Sequence, residues 1–366
     1  MRGAKLLLAT AFYWLGGLWL VRLLNRILTP PAIRILYAHR VHPDGPEAGD
    51  LLTVSKFEER VRHLVRRYRV ISMADAASQM ERGAIARRNQ VVVTFDDGFA
   101  DNLEACRILR QYGVPATIYV ATGATDSREP LWFVVVHRAF ERTARTHVPL
   151  PWGDAVLPLE TKGHRRIAAA TVIAAMKKMP AEERARCVRE VLAALDVDPP
   201  SVADPRDRML YWSEIRDLAA YGLFTFGAHT VTHQILSATS AESAAREIER
   251  STADLLRLGG IRPTTFAYPN GKAGDYLPHH KSLLRGFGYV SACTTEPGMN
   301  GAGSDLFALR REPFYEGKPL RAFALRMAGM NEILDRLRRM LPRLARRATP
   351  VSRARRGGRA TLGGRP

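Results

Sequence analysis

The chain of 366 residues carries a formal charge of +19, and 46% of it is hydrophobic; this excludes a disordered polyelectrolyte and leaves room for one large domain or two ordinary ones. Cys106, Cys187 and Cys293 are too few and too scattered for a disulfide framework or a cysteine zinc site, and they read as free thiols packed like small apolar residues. Residues 336–366 hold eleven arginines and no acidic residue, so more than half of the excess charge lies in the tail.

Leu6 to Val21 form an apolar run of sixteen residues, with Arg2 and Lys5 before it and Arg22 and Arg26 after it. A membrane span needs about twenty. The basic flanks also suit a helix lying in the interface, with Tyr13, Trp14 and Trp19 at headgroup depth. A signal peptide is a third reading, although no convincing small-x-small cleavage site follows. Residues 1–30 are therefore expected to associate with a membrane, on a face the sequence does not assign; a buried helix is the other reading. Pro30-Pro31 ends the segment.

Ile33 to Ala38 is a first strand, followed by His39. Residues 56–69 show helical spacing through Phe57, Val61, Leu64, Val65 and Tyr68. A short strand at Val70-Ile71 and a helix over 74–82 follow. Val91 to Phe95 is a continuous apolar run, the pattern of a strand buried on both faces. Phe99 to Tyr112 reads as a helix ending at Gly113, and Ala116 to Val120 as the next strand. Residues 124–211 then break the βα rhythm with apolar-rich segments at 131–140 and 165–195, a Pro-containing loop at 148–158 and a turn region at 196–205. They read as a mainly helical insertion, either a site wall or a packing subdomain. The rhythm resumes with a helix at 213–221, a strand at 223–228, a helix at 240–258, a strand at 264–268, a helix at 276–287 and a strand at 289–293. About seven strands separated by helices argue for a parallel sheet, open or closed. The main domain is expected over 31–320. Beyond it, Asn331 to Ala345 spaces leucines helically among arginines, and a Gly/Arg-rich tail follows. That segment suits adhesion to anionic lipid or polyanion, or a docked terminal helix; it carries no motif that would read a specific nucleic acid.

Two stretches carry chemistry. The Val91–Phe95 strand ends in Asp96, Asp97 and Gly98. Adjacent carboxylates at a buried strand end are costly unless a cation holds one ionised; otherwise Asp97 is a helix N-cap. The second stretch, Gly227 to His233, places His229 and His233 four apart, so that on a helical turn both imidazoles point the same way. Two neutral imidazoles and one carboxylate make a facial set for a divalent metal with positions left open. Zinc is the default ion, and cobalt and nickel fit the same ligands.

These residues resemble the polysaccharide deacetylases of carbohydrate esterase family four, the NodB homology domain. Thr94-Phe95-Asp96-Asp97-Gly98 is similar to that family's first motif and His229-Thr230-Val231-Thr232-His233 to its second. Phe266-Ala267-Tyr268-Pro269-Asn270-Gly271 is similar to a degenerate third. The likeness covers roughly residues 33–315. It implies a distorted, incomplete (β/α) barrel, often of seven strands, with its site at the strand C-termini. It further implies that Asp97, His229 and His233 bind the metal and that Asp96 is the general base. The third-motif segment Tyr268, Pro269 and Asn270 would lie at the substrate and oxyanion position, with a backbone N–H near Asn270.

Three departures from the pattern matter. The late Leu-x-His that supplies the general acid in many members is missing, since no histidine follows His280. Leu36-Tyr37-Ala38-His39 resembles instead the arrangement in a subgroup similar to poly-N-acetylglucosamine deacetylases, which makes His39 the candidate acid; a histidine hydrogen-bonded at a strand end is the plainer reading. Ala267 stands where the third motif has an arginine that pairs with the base, so Arg311, or its neighbour Arg310, is the candidate partner of Asp96. Asn270 stands where the motif has a tyrosine. Trp132 and Phe133 suit a sugar-stacking pair or an apolar wall, and His137, His147, His164, His279 and His280 read as surface or loop residues. The implied partner is an N-acetylated glycan or lipid-linked saccharide. An O-acetyl ester, a small N-acetyl compound and a non-catalytic glycan-binding scaffold are the alternatives.

Overall fold

The β-branched runs of the sequence become parallel strands of one sheet. The computed structural model describes residues 16–45, 51–85, 89–127, 129–153, 155–198, 207–314 and 319–336. They fall into two units, one from residues 31–320 and one from residues 1–30 with 321–366. In the smaller unit, α1 (Leu18–Leu28) buries Val21 against Leu325, Ala328 and Ile333. Its opposite face leaves Trp19 and Ile27 68% and 69% exposed. Residues 6–15 of the apolar run lie outside the described residues. So do residues 337–366, which hold most of the expected basic helix and all of the Gly/Arg-rich tail. Among the described residues no helix is long and apolar enough to cross a membrane.

The larger unit begins with β1 (Ala32–Ala38), α2 (Val54–Arg67), β2 (Arg69–Val70), α3 (Met73–Glu81), β3 (Gln90–Phe95), α4 (Asn102–Gln111) and β4 (Ala116–Val120). The Thr53 and Ser72 hydroxyls accept from the N–H groups of Lys56 and Asp75, capping α2 and α3. All six residues of β3 are buried, as a strand flanked by parallel neighbours requires. The expected helix at Phe99 starts instead at Asn102. Residues 98–100 are taken up in a ladder with 208–210, in which Ala100 N–H donates to the Arg208 carbonyl and Leu210 N–H to that of Gly98.

The insertion holds α5 (Trp132–Arg142), the hairpin β5 (His147–Pro149) and β6 (Val156–Pro158), α6 (Lys162–Met176) and α7 (Ala181–Leu195). The expected loop at 148–158 is thus a hairpin, with its two strands in antiparallel register. The apolar segment 165–195 is two helices, because Pro180 cannot continue one. Val136, Phe140, Val172, Met176 and Leu192 form a core within the insertion. Residues 199–206 of the expected turn region lie outside the described residues.

The barrel resumes with α8 (Trp212–Ala220), β7 (Phe224–Ala228), α9 (Ala241–Arg257), β8 (Thr265–Ala267), α10 (Pro278–Gly286), β9 (Ser291–Cys293), β10 (Asn300–Gly301) and β11 (Glu312–Pro313), before α11 (Leu320–Met327). The sheet order is β10-β1-β3-β4-β7-β8-β9, with β2 on β3 and β11 on β1. Its two edges meet through a short segment that no hydrophobic period announces. Leu309 bridges Cys293 in parallel, and β11 pairs with Leu36 and Tyr37 of β1. A buried ion pair from Arg34 to Glu312, 2.5 Å long, pins that seam. Strands β1, β3, β4, β7, β8 and β9 and the 309–313 segment form a distorted (β/α) barrel, incomplete at a seam only a few residues wide. The parallel strands bring their C-terminal ends to one mouth.

Candidate active site

Asp96 and Asp97 follow β3, and a helix N-cap is not what Asp97 becomes. It takes φ +76° at the turn, five residues before α4 begins, and its carboxylate turns to the barrel mouth. A left-handed backbone is unusual for aspartate and marks a position held by its surroundings. Oδ1 of Asp97 lies 3.4 Å from Nε2 of both His229 and His233, and this oxygen is buried with no hydrogen-bond partner.

His229 and His233 follow β7, but on a loop rather than a helical turn. Thr230 and His233 adopt φ +63° and +55°, and these two reversals bring the imidazoles together, with centroids 4.9 Å apart. The loop is held from both sides. Glu247 of α9 accepts from the N–H groups of Val231 and Thr232 at 2.8 and 3.0 Å and from the Thr232 hydroxyl at 2.8 Å. Arg184, on α7 of the insertion, donates to the Thr232 carbonyl and to the Gln234 side chain. Gly227 precedes the loop because a Cβ there would sit 2.5 Å from the Thr265 carbonyl and 2.6 Å from the Tyr119 ring.

The three side chains fit a divalent metal. One ligand atom from each of Asp97, His229 and His233 lies within 4.8 Å of the others, and all three residues are buried. Nδ1 of His229 is 2.7 Å from the Ala267 carbonyl, which as donor fixes the tautomer and leaves Nε2 a lone pair. Burial pushes His233 down to about 3, so it stays neutral as a ligand must. Burial alone would raise the Asp97 carboxyl, but the His229 and His233 imidazoles outweigh it and hold that group below the ordinary carboxylate range.

Asp96 is clamped by Arg311. The guanidinium donates to Oδ1 and Oδ2 of Asp96, each at 2.7 Å. It also donates to the Thr294 carbonyl and the Thr94 hydroxyl, and it is fully buried. Burial opposes charge on Asp96, and the Arg311 guanidinium overrides it and keeps the carboxyl ionised. Arg311 stands on the segment that closes the barrel, so the seam and the site share a residue. Its neighbour Arg310 lies against Gly298 instead.

Asp96, Asp97, His229 and His233 share a cleft of about 890 Å³. His39 lines it, with its ring edge-on to Tyr37 at 5.7 Å and its carbonyl accepting from Asn102. Asn270 lines it too, at φ +61°. Tyr268 is instead 1% exposed, its hydroxyl donating to the Phe307 carbonyl and its ring stacked on Tyr276 at 4.1 Å. Pro269 is buried beside it. The insertion supplies one wall. Phe133 packs edge-on to His233 at 5.2 Å, while Trp132 lies under the Arg184 guanidinium. His137, read from the sequence as a surface residue, lines the cleft, and so do His42 and Lys177. Sequence reasoning passed over the last two; Lys177 stands in a Lys-Lys pair at a helix end that reads as solvated. His147, His164 and His279 are exposed, and His280 is buried at the start of α10.

A family model described as polysaccharide deacetylase matches residues 84–290. Among solved structures, the Streptococcus pyogenes deacetylase PplD, in complex with acetate, is 18% identical with a TM-score of 0.52, over 78% of this chain and 94% of that one. IcaB from Ammonifex degensii is 17% identical with a TM-score of 0.51, over 81% and 98%. A polysaccharide deacetylase from Bacillus cereus is 17% identical with a TM-score of 0.51, over 81% and 69%. At these identities the likenesses show a shared fold. No curated protein sequence matches the chain.

Proposed function

The chain belongs to the polysaccharide deacetylase family, and from that premise we propose that it is a metal-dependent hydrolase removing N-acetyl groups from a polysaccharide or lipid-linked saccharide of N-acetylated amino sugars. The observation that carries this reading is one cleft holding both a buried Asp-His-His set and a second aspartate kept ionised by a bidentate arginine.

Asp97, His229 and His233 would hold the metal, with zinc the natural fit to two imidazoles and a carboxylate. When bound, such an ion lowers the pKa of water and stabilises a developing oxyanion. Asp96 accepts the proton of the attacking water as general base. Arg311 positions that carboxylate and keeps it charged; both its bonds to Asp96 are made before substrate arrives. Water oxygen adds to the acetyl carbon, the C–N bond breaks, and the amine leaves with a proton. His39, at the mouth of the cleft, is the donor of that proton. The Asn270 N–H makes no hydrogen bond among the described residues and is the candidate backbone donor to the oxyanion. Phe133 covers one edge of His233 and keeps water from it.

We also propose that the chain works at a membrane surface. The apolar run from Leu6 and the exposed Trp19 and Ile27 of α1 support this; co-sedimentation with anionic vesicles, lost on deletion of residues 1–30, tests it.

The substrate reading is tested by product analysis on N-acetylglucosamine oligomers and on an O-acetylated glycan offered side by side. Free amines and acetate from the first support the proposal. Acetate from the second alone makes the chain an esterase.

A further inference from the structure

Most charges around the cleft are compensated. Asp96 is paired with Arg311, Arg40 with Asp101 and Asp207, and Arg138 with Asp207 and Glu141. Two cations on one side are compensated only in part. Lys177, which follows α6 in the insertion, and Lys272, on the loop after β8, both line the cleft. Neither makes a direct ion pair among the described residues. The half-buried Lys177 ammonium donates only to a neutral acceptor, Oδ1 of Asn270, at 2.9 Å. The nearby Asp275 carboxylate offsets part of this charge, and its Oδ2 accepts from the Asn270 amide at 2.6 Å and from the Lys272 N–H at 2.8 Å. Burial is the main force pushing the Lys177 ammonium down and the Lys272 charge adds to it, while the Asp275 and Asp97 carboxylates pull the other way without reversing the shift.

Two like charges brought together by distant parts of the chain, one of them partly desolvated and together facing Asp275, leave an excess of positive charge that a ligand anion offsets. An oxyanion between them does so, gaining charge-assisted hydrogen bonds where water is already thinned. Both lysines share the cleft with Asp97 and His233, so the anion would lie on the same molecule as the acyl group. We propose that Lys177 and Lys272 form an anion subsite, and that the substrate is an acylated amino sugar bearing a phosphate or carboxylate group beside the reacting acyl-amine. The sugar half of this statement rests on the deacetylase reading; the anion half rests on the two lysines alone.

Equilibrium binding separates the halves, because it needs no turnover. Zinc-loaded protein is titrated calorimetrically with N-acetylglucosamine, N-acetylglucosamine 1-phosphate and N-acetylmuramic acid. At least one anionic sugar binds about tenfold more tightly than the neutral one, and the preference shrinks with added salt. Whether phosphate or carboxylate gains more identifies the anion. Lys177→Met and Lys272→Met each reduce the preference several-fold at unchanged zinc content. Lys272→Met removes a side chain that bonds to nothing among the described residues, so it tests the subsite without disturbing Asn270. An equal affinity for all three sugars overturns the proposal. So does a preference that survives both substitutions, since the anion then sits on the metal. If lysine-dependent binding is found but N-acetylglucosamine oligomers release no acetate, the subsite stands and the deacetylase reading falls.

Discussion

The floor of the cleft takes its residues from the ends of β1, β3, β7 and β8, while its insertion wall takes Phe133 and Lys177 from α5 and the end of α6. On the floor, side chains and backbone around the metal position are tied down: Asp96 to Arg311, His229 to Ala267, the Val231–Thr232 backbone to Glu247. The wall stands on a separate apolar core and meets the floor through Phe133 on His233 and through charged contacts, among them Arg184 to Thr232 and Arg40 to Asp207. On the proposed function the two regions would take different tasks. Chemistry needs ligand atoms fixed to within fractions of an ångström, which a barrel mouth provides. Substrate choice needs a surface that can vary without disturbing them, which an insertion provides.

The sharpest break is expected on the floor. Asp96→Asn lowers turnover by about 10²–10⁴-fold while zinc content stays at the wild-type value; equal turnover removes the general base. Next comes Arg311→Met, which strands a buried carboxylate and costs about 3–5 kcal/mol of stability in chemical denaturation. A cost near zero would mean that the seam and the site are not joined through this residue. Phe140→Ala attacks the wall instead. It hollows the insertion core at a cost of about 3–5 kcal/mol and raises KM without loss of zinc. Zinc loss in that variant would erase the division between the regions.

Glu247→Ala loosens the loop behind both imidazoles and weakens zinc affinity by about 10-fold, read by competition with a chromophoric chelator. The smallest effect concerns the junction. Burial alone would raise the Asp207 carboxyl, but Arg138 and Arg40 hold it below the ordinary range. A depressed folded-state pKa contributes stability above about pH 4, the unfolded carboxylate value, and that stability is lost as pH falls through the folded one. The stability difference between wild type and Asp207→Asn therefore shrinks on acidification from neutral pH, and a difference that grows would reverse the sign of the junction.

What could be read from the sequence follows the same division. Asp96-Asp97 and His229…His233 are local strings at the ends of apolar runs, so strand period and residue chemistry suffice to find them. Their backbone was misjudged: the imidazoles converge through left-handed turns at Thr230 and His233, which four-residue spacing does not reveal. Arg311 could be named only alongside Arg310, because the strand that begins just after it is two residues long and shows no period. Lys177 was invisible. Its place in the cleft depends on how an insertion with its own core folds back over the mouth, and nothing near Lys177 in sequence records the approach to Asn270.

The central claim is that the buried Asp-His-His floor is a metal centre that hydrolyses acetamides. The most direct test measures acetate release from N-acetylglucosamine oligomers by purified protein after chelation and again after zinc is restored, with His233→Ala beside the wild type. Release that stops, returns with zinc, and is missing from the variant together with the bound metal is the predicted result. Release that persists after complete chelation, or wild-type protein that takes up no zinc, would contradict it.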